Sequence, residues 1–227
     1  MDLNFFKQTK ILDGGMGQEL LARGMKTNGT LWSANAILDK NYHQLLLDTH
    51  RDFVKAGAEV IVTTTFTTRR KRLKENNIEE QFEYLNKKAG EIALKVKEEF
   101  PNILVAGGLP PQELTYEADE RGEEEITKTF NEQAGLLNPY VDFFYFDVWS
   151  SIKEFKCGIK AIKEFKKPYL IGIHISEGTN LPSGETISDI KSVIDDQLLG
   201  IMLSCVSPEN YEKNLEEIKN LNVPFGF

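Results

Sequence analysis

Cysteine is scarce in this chain, which has only Cys157 and Cys205 among its 227 residues. Two isolated thiols exclude the disulfide framework on which small secreted proteins depend. Positively charged residues are outnumbered as well: the chain has 27 lysines and arginines against 35 acidic residues, and its net charge is −8. This balance argues against nucleic acid or an anionic membrane as the main partner.

Long apolar runs are missing as well. The N-terminal stretch MDLNFFKQTK has no basic start followed by an apolar segment, so we predict no signal peptide. No run approaches the ~20 apolar residues that a membrane-spanning helix requires. We therefore expect a soluble, cytoplasmic protein that has neither nucleic acid nor a membrane as its partner.

The chain does contain a repeated alternation of short apolar segments and amphipathic helices. Most of the apolar segments are nearly continuous, as is typical of parallel strands that are covered on both faces. The helical segments place apolar residues three and four positions apart, for example Leu45 and Leu46 after Tyr42. Seven strand candidates begin at Lys10, Ala58, Asn102, Val141, Pro168, Leu198 and Asn222.

This alternation predicts an α/β fold, either an open doubly wound sheet or a (βα)8 barrel. A complete barrel takes about 250 residues, and this chain stops at its seventh strand candidate. We interpret residues 1–227 as a single domain of the (βα)8 TIM-barrel type that lacks its last βα part. The segment DGGMGQEL, after the first strand candidate, does not have the Gly-x-Gly-x-x-Gly spacing of a dinucleotide site.

In either architecture the functional groups lie at the carboxyl ends of the strands. Each residue there has a structural alternative, since Asp13 could cap a helix, threonines are good strand formers and Cys205 could simply pack. Away from these ends, His43, His50 and Cys157 fall on helices, where packing is the simpler explanation. The residues at the strand ends are Asp13, Gly14, Gly15, Thr63, Thr64, Thr65, Phe66, Gly107, Gly108, Asp147, His174 and Cys205.

Together these side chains suit a ligand that resembles an amino acid. A carboxylate can hold an ammonium group, and the backbone N–H groups of a glycine turn can hold a carboxylate. A thiol can bind a soft metal. A catalytic zinc site usually takes three protein ligands, however, and Cys205 supplies one.

Four segments carry a family resemblance: ILDGGMGQELLARG, HRDFVKAGAEVIVTTTF, VAGG and GIMLSCVSPE. From about Lys10 to Phe227 the chain resembles the homocysteine S-methyltransferase family, which includes betaine–homocysteine methyltransferase and the homocysteine domain of methionine synthase. The resemblance implies a (βα)8 barrel in which three cysteines bind Zn²⁺. It also implies two substrates, homocysteine and a small betaine-like, sulfonium or folate-type methyl donor, with methionine as the product.

The resemblance assigns roles to individual residues. Cys205 matches the first zinc cysteine, and Asp147 stands where the family usually has a glutamate that binds the amino group of homocysteine. No residue is assigned as a catalytic acid or base. The residues that match substrate-binding positions are Asp13, Gly14, Gly15, Thr65, Phe66 and Asp147.

The chain departs from the family pattern at several of these places. The family's other two zinc cysteines lie in a Gly-Gly-Cys-Cys-Gly motif on the eighth strand, and this chain ends before that motif. Thr64 replaces a usual asparagine. Asp147 is shorter than glutamate by about 1 Å, and a misplacement of that size can cost about 100-fold in rate. With one of three ligands present, we predict weak zinc binding or none.

Three interpretations are open. The first is a homocysteine S-methyltransferase-like protein that is impaired or inactive in this chain. The second is an active enzyme whose missing ligands come from another polypeptide, since the strand edges of an unclosed barrel favour a homo-oligomer. The third is a non-catalytic amino-acid-binding or regulatory protein derived from the family. A barrel enzyme that uses Asp13 and Asp147 as acid and base has little support.

Overall fold

A computed structural model of the chain describes residues 3–175 and 178–227. In these residues helices alternate with six β-strands, and the helix between the fourth and fifth strands is a 3-10 helix, Ile187–Val193. The α-helices are α1 (Met16–Ala22), α2 (Asn35–Leu38), α3 (His43–Lys55), α4 (Arg70–Glu75), α5 (Phe82–Glu99), α6 (Glu123–Leu137), α7 (Ile152–Ile162) and α8 (Pro208–Lys219). The strands are β1 (Val60–Val62), β2 (Leu104–Leu109), β3 (Phe143–Trp149), β4 (Tyr169–Ile173), β5 (Leu198–Leu203) and β6 (Phe225–Gly226).

The first of the seven strand candidates does not form a strand. The segment that begins at Lys10 makes a single parallel bridge, between Leu12 and Val60. The reason is local, because Asp13 and two glycines follow at once and the chain turns there into α1. The other six candidates all appear as strands, so the predicted α/β alternation is confirmed.

The chain forms two compact units. The N-terminal unit comprises Thr9–Gly108 and Gln133–Phe143, and the C-terminal unit comprises Met1–Gln8, Leu109–Glu132 and Phe144–Phe227. The single domain expected over residues 1–227 stays a prediction. Within the described residues, no helix combines the length and the apolar character needed to cross a membrane.

In the N-terminal unit, β1 and β2 pair in parallel and α3 packs against α1 and α5. The buried face of α3 carries Leu46, Leu47 and His50, which lie three and four positions apart. After the helix, Gly57 adopts a φ of 114°, a left-handed conformation that glycine tolerates at no steric cost. This turn leads the chain from α3 into β1, where the first candidate site residues follow.

In the C-terminal unit, β3, β4, β5 and β6 pair in chain order and all pairs are parallel. The end of β3 is held by an aromatic cluster around Trp149. The indole ring stacks on Phe130 and Phe146, with ring centroids 4.1 and 4.2 Å away. Its Nε1–H donates to the carbonyl of Leu109 at 2.7 Å, so the one polar atom of the ring is satisfied although it is buried.

Candidate functional site

Asp13 lies directly after the single bridge that joins its segment to β1. Its backbone N–H donates to the carbonyl of Val60 at 2.9 Å, and its Oδ2 accepts from the N–H of Val62 at 3.0 Å. The side chain is only 4% exposed. The N-cap of α1 is Gly15, so the carboxylate does not serve as the cap of that helix. A nearly buried carboxylate that accepts a backbone N–H is held in one orientation.

The two glycines after Asp13 have different surroundings. A Cβ atom added at Gly14 would lie 2.9 Å from Cε1 of Phe53 on α3, so a larger residue there would have to displace that ring. A Cβ atom added at Gly15 would meet no described atom within 4 Å, and both glycines are exposed. The turn therefore exposes the backbone of Gly14 and Gly15 beside the fixed carboxylate of Asp13. Its role in binding homocysteine stays a prediction.

The threonine row after β1 is engaged in buried hydrogen bonds. The Oγ1 atoms of Thr63 and Thr65 are 2.9 Å apart, and Thr65 donates to the carbonyl of Gly108 at 2.6 Å. The N–H of Gly108 donates back to Thr63 at 3.0 Å. These bonds tie the ends of β1 and β2 together. Phe66, half-buried, packs edge-to-face on Trp32 at a centroid distance of 6.4 Å.

His50, which the sequence assigns to helix packing, also lies next to Asp13. It is buried on α3, and its Nδ1 is 3.8 Å from Oδ2 of Asp13. Its Nε2 is 3.3 Å from the hydroxyl of Thr64. Burial lowers the pKa of His50 to about 4, so the ring is neutral at pH 7. The position of His50 on a helix is as predicted. Its proximity to Asp13 is not predicted by the sequence.

In the C-terminal unit, Asp147 lies within a distorted part of β3. The predicted end of this strand, at Asp147, is wrong because β3 continues to Trp149. The pairing register with β4 shifts between Phe146 and Trp149, and Val148 has a φ of 65°. Positive φ is rare for a β-branched residue. Irregularities of this kind change the direction of a side chain and are common beside functional sites.

The carboxyl group of Asp147 is poised to change its charge near neutral pH. Desolvation raises the pKa of Asp147 to about 7, against the opposing effect of a hydrogen bond from Tyr145. The hydroxyl of Tyr145 also lies 2.9 Å from that of Ser204. An ammonium group placed beside such a carboxyl would favour its ionised form.

Cys205 follows β5 by two residues and is exposed, with a φ of 56°. The packing alternative is therefore wrong for Cys205, whereas Cys157 is buried in α7 as expected. Partial desolvation raises the pKa of the Cys205 thiol, a hydrogen bond from Tyr116 lowers it, and the charge of Asp147 raises it. The ring of Tyr116 packs on His174 at a centroid distance of 4.5 Å.

Three residues around Asp147 and Cys205 were missed in the sequence: Tyr116, Tyr145 and Ser204. A signal existed for two of them. Tyr145 lies two positions before Asp147, hence on the same face of the strand, and Ser204 adjoins Cys205. Tyr116 lies in the segment between β2 and α6, where no periodicity identifies it. Its φ of 73° makes it a third residue of this group with strained backbone, after Val148 and Cys205.

The side chains present do not complete a zinc site. Across residues 3–175 and 178–227, no group of three His, Cys, Asp or Glu side chains is placed to hold a metal ion. A catalytic zinc ion usually takes three protein ligands. Cys205 therefore stands as a single thiol donor.

Comparison with known proteins identifies the relatives of this chain. A family model described as homocysteine S-methyltransferase matches residues 10–227. Homocysteine S-methyltransferase 2 of Zea mays is 24% identical over 225 residues, which cover 87% of this chain and 66% of that protein. Homocysteine S-methyltransferase of Escherichia coli (strain K12) is 23% identical over 236 residues, 94% of this chain and 74% of that protein. The chain thus spans just under two thirds of the maize relative.

A solved structure is similar over the whole chain. The metallated form of the homocysteine methyltransferase MmuM from Escherichia coli superimposes with a TM-score of 0.88 at 21% sequence identity. The match covers 100% of this chain and 86% of that one. This similarity confirms the α/β fold of the TIM-barrel type, present here with six strands in the described residues.

Proposed function

This chain belongs to the homocysteine S-methyltransferase family, and we propose that it binds homocysteine and supports methyl transfer to the homocysteine sulfur. The match over residues 10–227 carries the proposal. In the reaction a bond forms between the sulfur and the methyl carbon. The bond from that carbon to the donor breaks, and its electron pair leaves with the donor. The thiol proton goes to solvent, and the product is methionine.

Each of the two candidate carboxylates, taken by itself, suits the amino end of the substrate. Asp147 is costly to ionise where it lies, because desolvation raises its pKa to about 7. An ammonium ligand offsets that cost, so binding favours a substrate with a free amino group. Asp13 supports the same assignment, since its orientation is fixed by the N–H of Val62. The methyl donor we propose is a small betaine-like or sulfonium cation.

We assign Cys205 as this chain's contribution to a zinc site. When bound, zinc keeps a coordinated thiol ionised at neutral pH. The described residues supply one thiol where three ligands are needed. We therefore expect the described residues to bind zinc weakly, so that methyl transfer by this chain needs added zinc.

The single zinc ligand among the described residues also favours a second function, amino-acid binding without catalysis. The Asp13 turn, with its fixed carboxylate and exposed glycine backbone, can bind an amino acid without performing chemistry on it. Such a protein would bind homocysteine or methionine with an affinity that does not depend on metal.

One experiment distinguishes the two functions. The purified chain is incubated with homocysteine, zinc and either S-methylmethionine or betaine, and methionine is measured by mass spectrometry. Homocysteine affinity is measured by calorimetry with and without a chelator. Methionine formation that the chelator and Cys205→Ala abolish, while the matched variant Cys157→Ala retains it, supports methyl transfer. Chelator-insensitive binding without methionine supports the second function, and absence of both binding and turnover rejects both.

A further inference from the structure

Packing alone does not account for the histidine in the middle of α3. His50 is fully buried, and its Nδ1 has no hydrogen-bond partner among the described residues. A leucine or phenylalanine would fill such a position without leaving a polar atom unsatisfied. The feature that distinguishes the position is the Asp13 carboxylate, whose Oδ2 lies 3.8 Å from Nδ1.

The second ring nitrogen determines which tautomer is present. A neutral imidazole carries one hydrogen, and the nitrogen that accepts a hydrogen bond leaves that hydrogen on the other. The hydroxyl of Thr64 is 3.3 Å from Nε2 and is itself buried. When Thr64 donates to Nε2, the hydrogen lies on Nδ1 and points towards Asp13. The other tautomer would set a nitrogen lone pair against a carboxylate oxygen, which is electrostatically unfavourable.

We propose that His50 is a positioning residue whose Nδ1–H, set by Thr64, orients the carboxylate of Asp13 for the ammonium group of an amino-acid ligand. Two donors then act on the same oxygen, because Oδ2 also accepts from the N–H of Val62 at 3.0 Å. The separation of 3.8 Å exceeds a hydrogen bond. At 3.8 Å the Nδ1–H therefore acts on the carboxylate by electrostatic attraction between its partial positive charge and Oδ2.

The tautomer can be measured without any ligand. In protein labelled with ¹⁵N-histidine, the two-bond ¹H–¹⁵N spectrum at pH 7 distinguishes Nδ1–H from Nε2–H, and His50→Asn identifies the His50 signals. We expect the Nδ1–H tautomer in the wild-type protein. We also expect Thr64→Val and Asp13→Asn each to shift the ring towards Nε2–H. An Nε2–H ring in the wild-type protein, or a tautomer that neither variant changes, would overturn the proposal.

The effect on ligand binding rests on the proposed function and is tested separately. His50→Leu keeps the volume but removes the donor, and we expect it to weaken homocysteine binding about tenfold, as loss of an outer-shell partner does elsewhere. His50→Asn keeps an N–H near Nδ1 and should retain most of the affinity. His43→Asn is the matched control, because His43 begins the same helix and its ring contacts the carbonyl of Ile37 at 2.7 Å.

The outcomes of the two measurements are distinguishable. Equal loss of affinity in His50→Asn and His50→Leu, with both variants folded by circular dichroism, would show a packing role and overturn the positioning role. If the wild-type chain binds no homocysteine, the proposed function fails. In that case the ¹⁵N spectra still decide whether His50 presents Nδ1–H to Asp13.

Discussion

The hydroxyl oxygen of Tyr145 lies 2.9 Å from the hydroxyl oxygen of Ser204. Each partner is close in sequence to a candidate site residue, since Tyr145 lies two positions before Asp147 and Ser204 directly precedes Cys205. Tyr145 also lowers the pKa of Asp147 and so opposes the effect of desolvation on that pKa. This contact therefore links the strand that carries the carboxyl group to the segment that carries the thiol.

Removal of the Tyr145 hydroxyl should affect both stability and the titration of Asp147. We expect Tyr145→Phe to lower the free energy of unfolding by about 1–3 kcal/mol, because the buried Ser204 hydroxyl loses its partner. The pKa of Asp147 should rise further, since the hydrogen bond that lowers it is gone. Urea unfolding measures the first effect, and a ¹³C NMR titration of the carboxyl carbon measures the second.

The control for this prediction is Tyr211→Phe. Tyr211 packs its ring on the exposed Phe227 and takes no part in the Tyr145–Ser204 contact. Deletion of its hydroxyl should leave both quantities unchanged. A Tyr145→Phe variant in which the pKa of Asp147 does not rise would contradict the assigned hydrogen bond.

A buried acid on α7 should give the protein a measurable pH dependence. Oε2 of Glu154 accepts from the hydroxyl of Ser151 at 2.7 Å, and Oε1 has no hydrogen-bond partner within the described part of the chain. Burial raises the pKa of Glu154 from its ordinary value of 4.5 to about 7. Between these values the folded state keeps a proton that the unfolded chain has lost. Stability contributed by Glu154 is therefore present below about pH 4.5 and lost as the pH rises to about 7.

Glu154→Gln should remove this loss, which is on the order of 3 kcal/mol for a shift of this size. The measurement is urea unfolding at pH 5 and pH 8 of the wild-type protein, Glu154→Gln and the exposed control Glu124→Gln. His50 acts in the opposite direction, because its lowered pKa makes stability rise between about pH 4 and pH 6.5, but it is common to all three proteins. A Glu154→Gln variant that loses as much stability as the wild-type protein would refute the prediction.

Close packing at Gly158 should make a conservative substitution harmful. A Cβ atom there would lie 2.2 Å from Cη2 of Trp149. Alanine in a helix interior is better than glycine by about 1 kcal/mol, whereas overpacking costs about 1–3 kcal/mol. Trp149 cannot move easily, because it is stacked on two rings and bonded to Leu109. The clash should therefore outweigh the gain in helix propensity.

We expect Gly158→Ala to lower the melting temperature and to change the fluorescence of Trp149, measured in a Trp32→Phe background. Gly122→Ala is the matched control, since a Cβ atom at Gly122 would meet no described atom within 4 Å. A melting temperature for Gly158→Ala equal to that of the control would show that Trp149 yields more readily than its contacts indicate.

The strand–helix alternation could be read from the sequence because β3, β4 and β5 are nearly continuous apolar runs. The same pattern could not fix details that depend on a few hydrogen bonds. The segment at Leu12 forms one bridge rather than a strand. The apolar positions Ile187, Ile190 and Ile194 suit a helix, and the segment Ile187–Val193 is a 3-10 helix. Spacing of three and four does not separate these two helix types over so short a stretch.

Site residues that lie at strand ends could be predicted from the sequence. Contacts that depend on how a helix or an irregular segment packs against the strands could not. Thr65 and Cys205 follow their strands closely, as the rule for parallel sheets requires. His50 lies beside Asp13 only because α3 packs beside β1, and no pattern in the local sequence predicts that contact. Tyr116 reaches Cys205 from an irregular segment, whose path is set by tertiary contacts rather than by periodicity.

The reactivity of Cys205 offers a test of the electrostatics around the thiol. A hydrogen bond from Tyr116 lowers the pKa of Cys205 and the charge of Asp147 raises it. Tyr116→Phe should therefore raise the pKa of the thiol and slow its alkylation by iodoacetamide at pH 8, because the thiolate is the nucleophile. Asp147→Asn should lower the pKa and speed the reaction.

The opposite signs of these two effects make the test specific. The rates are measured in chelator and in a Cys157→Ala background, so that Cys205 is the single thiol and carries no metal. A loosened loop would increase reagent access to the sulfur and speed alkylation in both variants, whatever the charge nearby. Electrostatic control requires the two variants to diverge around the wild-type rate, with the difference shrinking at high pH, where the thiol is ionised in every variant. Rates that move in the same direction would assign the reactivity of Cys205 to access rather than to Tyr116 and Asp147.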